Sequence, residues 1–178
     1  QAYHKYDFEN KVSGGPFDKK KPINTSPNNT GTKELPPAQP AFIWYPYGES
    51  KEFPAVGEGG RNAMAGPVFY SDIQGAGENG FPAYYDGKVF FYDWIRDWIF
   101  LIKMDENQDF VQAEPFMETS QFHNIIDMTF GDDGSLYVLE YGESWNTKNL
   151  DAQLNKISFV AGNRAPIAKI SGSKTVGG

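Results

Sequence analysis

Side chains suited to chemistry fall at four places along the chain. Arg61-Asn62 follows Gly59-Gly60. A guanidinium held there offers a planar fork to two carboxylate oxygens, and the glycines let backbone approach a ligand closely. Asn62 would add a polar contact; pairing of Arg61 with an acidic neighbour is the competing use. His123, one of 2 histidines, is a candidate catalytic base if an orienting acid and a substrate proton lie within reach. It could equally be a hydrogen-bonded structural residue, and His4 has no chemical company at all. Asp93 and Glu140 could converge on calcium, which takes roughly six to eight oxygens, or pair with Arg96, Arg61 or Lys148. Trp94, Trp98, Trp145 and Tyr141 could offer rings to a sugar or pack between sheets. Trp145 and Tyr141 are the candidate substrate-binding pair, with Trp145 expected to be exposed because residues 142–150 are otherwise polar.

Other chemistries are excluded or weak. Asp105-Glu106-Asn107-Gln108-Asp109 lacks the glycine and terminal glutamate of an EF-hand loop, and its turn formers fit a hairpin. There is no Ser-His-Asp order, phosphate-cradling glycine loop or zinc spacing. With 0 Cys among 178 residues, disulfides, thiol nucleophiles and Cys-ligated zinc are absent. A formal charge of −7 repels phosphate backbones, so nucleic acid is not an expected partner. No stretch approaches the roughly 18 apolar residues of a membrane span; the best, residues 89–104, is interrupted by Asp93, Arg96, Asp97 and Lys103.

The elements that must position these groups are short strands. The chain has 19 Gly and 12 Pro beside 14 Phe, 10 Tyr and 4 Trp, a turn-rich, aromatic-rich balance that points to all-β structure. Residues 1–40 are polar and turn-rich and are expected to form an irregular surface arm. From there to residue 160, strand-length runs alternate with turns: Phe42-Ile43-Trp44-Tyr45, Pro67-Val68-Phe69-Tyr70, and residues 88–92, 98–104, 110–113, 125–130, 136–139 and 154–159. Residues 86–94 align with residues 133–141 at an offset of 47, each copy running from an Asp-Gly turn through a strand to an acidic-aromatic pair. A period of roughly 40 to 50 residues with several short strands is the mark of a propeller blade, although two similar hairpins in a sandwich would look alike. The strands make one four-stranded blade and one that lacks its outer strand. Two blades cannot close a ring, so exposed edges are expected, covered by the rest of a propeller or a larger surface assembly. The opening at Gln1 without Met and the ending Gly177-Gly178 likewise suggest a segment of a longer chain.

Several runs carry a resemblance: Pro40-Ala41-Phe42-Ile43-Trp44-Tyr45-Pro46-Tyr47, Gly59-Gly60-Arg61-Asn62-Ala63-Met64-Ala65-Gly66-Pro67, Phe81-Pro82-Ala83-Tyr84-Tyr85-Asp86-Gly87, and Asp127-Met128-Thr129-Phe130-Gly131-Asp132-Asp133-Gly134-Ser135-Leu136-Tyr137. Together they resemble the carboxy-terminal part of the glucose/sorbosone dehydrogenase-like family. The resemblance covers residues 1–160 and implies a partial six-bladed β-propeller of about two blades. Asn163-Arg164-Ala165-Pro166-Ile167-Ala168 resembles the first strand of an immunoglobulin-like PKD domain, making residues 161–178 a linker and the start of that domain. What it further implies is a quinone-dependent sugar or polyol dehydrogenase that oxidises a carbohydrate hydroxyl. The cofactors would be pyrroloquinoline quinone, anchored in part by Arg61 and Asn62, and calcium. The catalytic histidine would lie in an earlier blade. The relatives resembled are secreted proteins of Bacteroidetes-type bacteria, so a secreted, periplasmic or cell-surface location is implied. The alternative is a non-catalytic carbohydrate- or protein-binding propeller module at the bacterial surface. Ligands of propellers sit where loops meet at one end of the channel, here residues 58–64, 93–97, 121–124 and 140–150.

Overall fold

The protein's structure, a computed structural model, describes residues 4–75 and 80–162. The stretch likened to a PKD strand lies outside the described residues. The fold is all-β, with three antiparallel sheets, none of them closed. The chain divides into two compact units, Gln1–Trp44 and Tyr45–Gly178.

The first unit is not irregular throughout. It begins with a hairpin of β1 (His4–Asp7) and β2 (Val12–Pro16). Asp7 builds the turn: its carboxylate accepts the backbone N–H groups of Glu9 and Asn10 and the Asn10 amide. Such local Asx bonding sets a turn without a hydrophobic core, which composition alone does not disclose. An isolated bridge joins Ile23 to Glu34.

In the second unit, β3 (Ala63–Val68), β4 (Val89–Asp93), β5 (Trp98–Met104) and β6 (Phe110–Phe116) form a four-stranded meander. A three-stranded meander follows: β7 (Ile125–Phe130), β8 (Leu136–Glu140) and β9 (Gln153–Ile157). Both sheets have the strands expected from the sequence. The run Phe42-Ile43-Trp44-Tyr45 is not a strand. Pro40 and Pro46 flank it and donate no ladder hydrogen bonds, and Tyr45 is instead fixed through its side chain.

The sheets pack through aromatic and aliphatic side chains. Phe90, Tyr92, Ile99 and Leu101 of the first share one core with Ile125, Met128, Leu136 and Val138 of the second. Phe81 lies at the centre of a ring cluster with Phe69, Phe90, Phe116 and Phe130 at centroid distances of 5.5 to 6.4 Å. Gly66 makes the close approach possible, because a Cβ there would lie 2.8 Å from the Phe90 carbonyl oxygen and 2.9 Å from Met128 Sδ. Alternate residues of β4 and β5 point the other way, so that Phe91, Trp98 and Phe100 pack together. Tyr45 and Val56 of the preceding segment reach Trp98 on this second face. Hence β4 and β5 are buried on both sides and lack the usual alternation.

The repeat is visible in the turns. Gly87 and Gly134 occupy equivalent positions with φ of 69° and 77°, a region that disfavours side chains. Asp133 in the second turn accepts from Lys156 Nζ at 2.6 Å, from the Ser135 N–H and from Tyr137 OH. Lys156 first, then the Ser135 N–H, hold its carboxyl down to about 2. A depressed carboxyl stabilises the fold above the ordinary carboxylate range and loses that contribution as pH falls through its folded value. Thermal melts of wild type and Asp133→Asn should therefore differ at neutral pH and converge between about pH 4 and 2. A gap that persists at the acid end would reject this role.

Candidate functional site

The four loops singled out from the sequence are organised around β-strand ends by two buried carboxylates. Asp93 closes β4 and is 0% exposed. Its Oδ2 accepts Tyr45 OH at 2.7 Å and the Asn62 N–H at 2.9 Å; its Oδ1 accepts the N–H groups of Ile95 and Arg96 at 2.8 and 3.0 Å. Four donors fill the acceptor capacity of a carboxylate. Burial, then the bond to Asp93, pushes the Tyr45 phenol far above its ordinary range. Glu140, the repeat equivalent, accepts the His123 N–H at 2.8 Å together with the side-chain amides of Gln153 and Asn155. The next residues match too: Trp94 N–H donates to Asn62 O and Tyr141 N–H to Asn124 O, each at 3.0 Å. Each carboxylate thus clamps the chain entering the first strand of its own sheet, β3 or β7. Neither converges on a calcium position, and neither makes the salt bridge to Arg96, Arg61 or Lys148 that the sequence suggested. Among the described residues, no group of three or more His, Cys, Asp or Glu could hold a metal ion.

Arg96 is the structural residue of this region that the sequence reading undervalued. Its Nε donates to Gly60 O, Nη1 to Val56 O and Gly57 O, and Nη2 to Pro46 O and Gly59 O, over 2.8 to 3.2 Å. All five guanidinium donors are matched to carbonyls, and the group also lies 4.7 Å from the centroid of the Tyr45 ring. The available signal was the segment Pro46 to Gly60, rich in Gly and Pro and therefore short of ladder partners for its carbonyls.

Arg61, the candidate anchor for an anion, is exposed. One Nη1 donates to Tyr45 O and the guanidinium stacks over Tyr47 at 4.8 Å. Asn62 contributes backbone groups to the clamp described above, with no side-chain hydrogen bond to it.

Three of the four candidate rings do meet. Trp94 lies 5.3 Å from Trp145 and 6.1 Å from Tyr141, and Tyr141 lies 6.3 Å from Trp145. Trp145 is 76% exposed. Its loop is held in shape: Tyr141 OH accepts the Asn146 N–H, Asp151 accepts the Glu143 N–H, and Asn149 bonds Ser144 in both directions. Trp98 goes instead to the core with Phe91 and Phe100. The acidic run at residues 105–109 is the β5–β6 hairpin turn, in which Asp105 accepts the N–H groups of Asn107 and Asp109.

Beside the rings is a cleft of about 440 Å³ lined by Asp97, Ser120, Gln121, His123, Asn124 and Glu143. His123 Nδ1 lies 3.3 Å from Glu143 Oε1, so Glu143 is an acid beside this histidine. Asp97, which motif reasoning passed over, has φ of 54°. Its Oδ1 accepts the Asn124 N–H at 2.6 Å, and the Asn124 amide in turn donates to Trp94 O at 2.7 Å. Burial pushes the Asp97 carboxyl up, against the Asn124 N–H and His123, with Glu140 and Asp93 adding to the rise.

Arg96→Lys removes the planar fork, since an ammonium has only three donors on a single point. It should cost on the order of 2–3 kcal/mol in chemical denaturation, with a change in the emission of Trp98, whose Nε1 donates to Val56 O. An unchanged midpoint would reject the scaffold role. Asp97→Asn keeps an acceptor for Asn124 and tolerates positive φ. Because a raised carboxyl pKa costs native stability as pH rises through it, this variant should melt higher than wild type at neutral pH and lose the advantage in acid. No family model, curated protein or solved structure matches the chain.

Proposed function

We propose that this chain forms C-terminal blades of a β-propeller related to quinone-dependent sugar dehydrogenases, and that its own share of the work is to bind carbohydrate. The observation that carries the reading is the meeting of Trp94, Tyr141 and Trp145 at the loop ends of two consecutive sheets, with Trp145 76% exposed. A pyranose presents a flat face of C–H groups that stacks on such a ring, while Tyr and Trp keep a polar edge toward water. Asn146, Ser144, Asn149 and Glu143 supply donors and acceptors for hydroxyls. Two successive meanders that pack on each other support the propeller part. So does the outer face of the second sheet, where the cross-strand neighbours Leu139 and Leu154 are 40% and 64% exposed; a further sheet would bury them.

Oxidation of a carbohydrate hydroxyl would require the quinone and its calcium. Of the groups such a pair needs, the described residues offer one exposed guanidinium, Arg61, already on the Tyr45 carbonyl and Tyr47 ring, and no metal-holding cluster. They do not make up that site, and no oxidative step is assigned to them; earlier blades would have to supply it. The second reading is a non-catalytic glycan- or protein-binding module, favoured by the engagement of both Asp93 and Glu140 as structural clamps. Under both readings the protein acts outside the cytoplasm, secreted, periplasmic or at the cell surface, with a glycan, or in the second reading a glycan or a protein, as partner. No helix among the described residues is long and apolar enough to cross a membrane.

Screening against an immobilised glycan panel, followed by calorimetric titration of the hits, tests the reading. Trp145→Ala should weaken binding by about ten- to a hundredfold, as expected for a central aromatic contact. Absence of any glycan binding, or binding indifferent to Trp145, would refute it. Dye reduction with added quinone and calcium over the same sugars separates the two alternatives.

A further inference from the structure

The cleft beside the rings has a charge pattern that narrows its ligand. It adjoins the aromatic platform: Glu143, two residues before Trp145, lines it, as does Asn124, whose amide donates to the Trp94 carbonyl oxygen at 2.7 Å. Two carboxylates, Asp97 and Glu143, line it, and no lysine or arginine does. Asp97 is half-buried, and among the described residues no protein group donates to its Oδ2, in contrast to the fully engaged Asp93 at the start of the same turn. Beneath the cleft Glu140, 1% exposed, adds to the negative potential, which His123 offsets only in its protonated form.

We infer that the cleft and platform together bind a saccharide bearing a protonated amine, a glucosamine-type oligomer, with its ring faces on Trp145 and its ammonium taken by Asp97 and Glu143. This rests on the carbohydrate-binding reading above. A neutral hydroxyl can donate to Asp97 but brings no charge, whereas an ammonium brings three donors and a positive charge to a carboxylate that burial has left short of both. A ring stacked on tryptophan also tolerates a cation near its face. Uronic acids and sulfated sugars would meet like charge and be excluded.

The test compares tetramers of glucosamine, N-acetylglucosamine and galacturonic acid by calorimetry at about pH 6, where a sugar amine is protonated. The expected order is the amine form first, the acetylated form next and the uronate unbound. The ratio of amine to acetyl affinity should fall roughly two- to fivefold in each of Asp97→Asn and Glu143→Gln, and should shrink as salt is added. Equal affinities for the amine and acetyl forms, with both sensitive to Trp145→Ala, would overturn the amine preference and leave carbohydrate binding standing. Failure of all three sugars, or tighter binding of the uronate, would overturn it as well, and the first of these outcomes would also count against the underlying reading.

Discussion

The second unit depends on one turn that carries opposite charges pointing to different tasks. In the β4–β5 connection, Asp93 collects donors and Arg96 collects acceptors, three residues apart. A guanidinium saturated by five carbonyls and a carboxylate saturated by four donors do not need each other as an ion pair. Each instead converts loop backbone that has no strand partner into satisfied backbone, which is the condition for burying it. Through this turn the segment from Tyr45 to Gly60 becomes a cover for the second face of β4 and β5. Without it Phe91, Trp98 and Phe100 would face water. The hydrophobic layer therefore presupposes the polar one.

The same logic separates the groups that hold the fold from those free to act. Asp93 and Glu140 are buried with their oxygens taken up by protein donors, which leaves no acceptor free for a ligand. Asp97 and Glu143 sit a few residues further along the same loops with capacity to spare. Asp97 combines a left-handed backbone, partial burial and a single donor. Features of that kind persist where surrounding structure imposes them and concentrate where a protein meets its ligand.

Much of the strand pattern was legible because Asp-Gly turns and short aromatic runs are local signals. Gly87 and Gly134 announce their turns by residue type, and the offset between them aligned Asp93 with Glu140 correctly. Their shared job was not legible, since a carboxylate closing a strand looks the same in sequence whether its partner is a cation, an arginine or a backbone N–H. Phe42-Ile43-Trp44-Tyr45 had strand composition, but its prolines and the long-range bond from Tyr45 to Asp93 decided otherwise. The convergence of Trp94, Tyr141 and Trp145 could be anticipated from the repeat together with the polar loop. Arg96 and Asp97 were hidden because their partners lie up to 50 residues away along the chain.

The paired clamps also bear on how such a protein can change over time. In the first sheet the connection after the clamp is only residues 94–97, whereas in the second it is residues 141–152, including the Trp145 loop. Because the strand entrance is secured by the carboxylate and the residue next to it, the connection can lengthen or be replaced without loosening the sheet. Insertions at this point are thus mechanically insulated from the core, and one sheet can carry a long, variable connection while its neighbour keeps a short one.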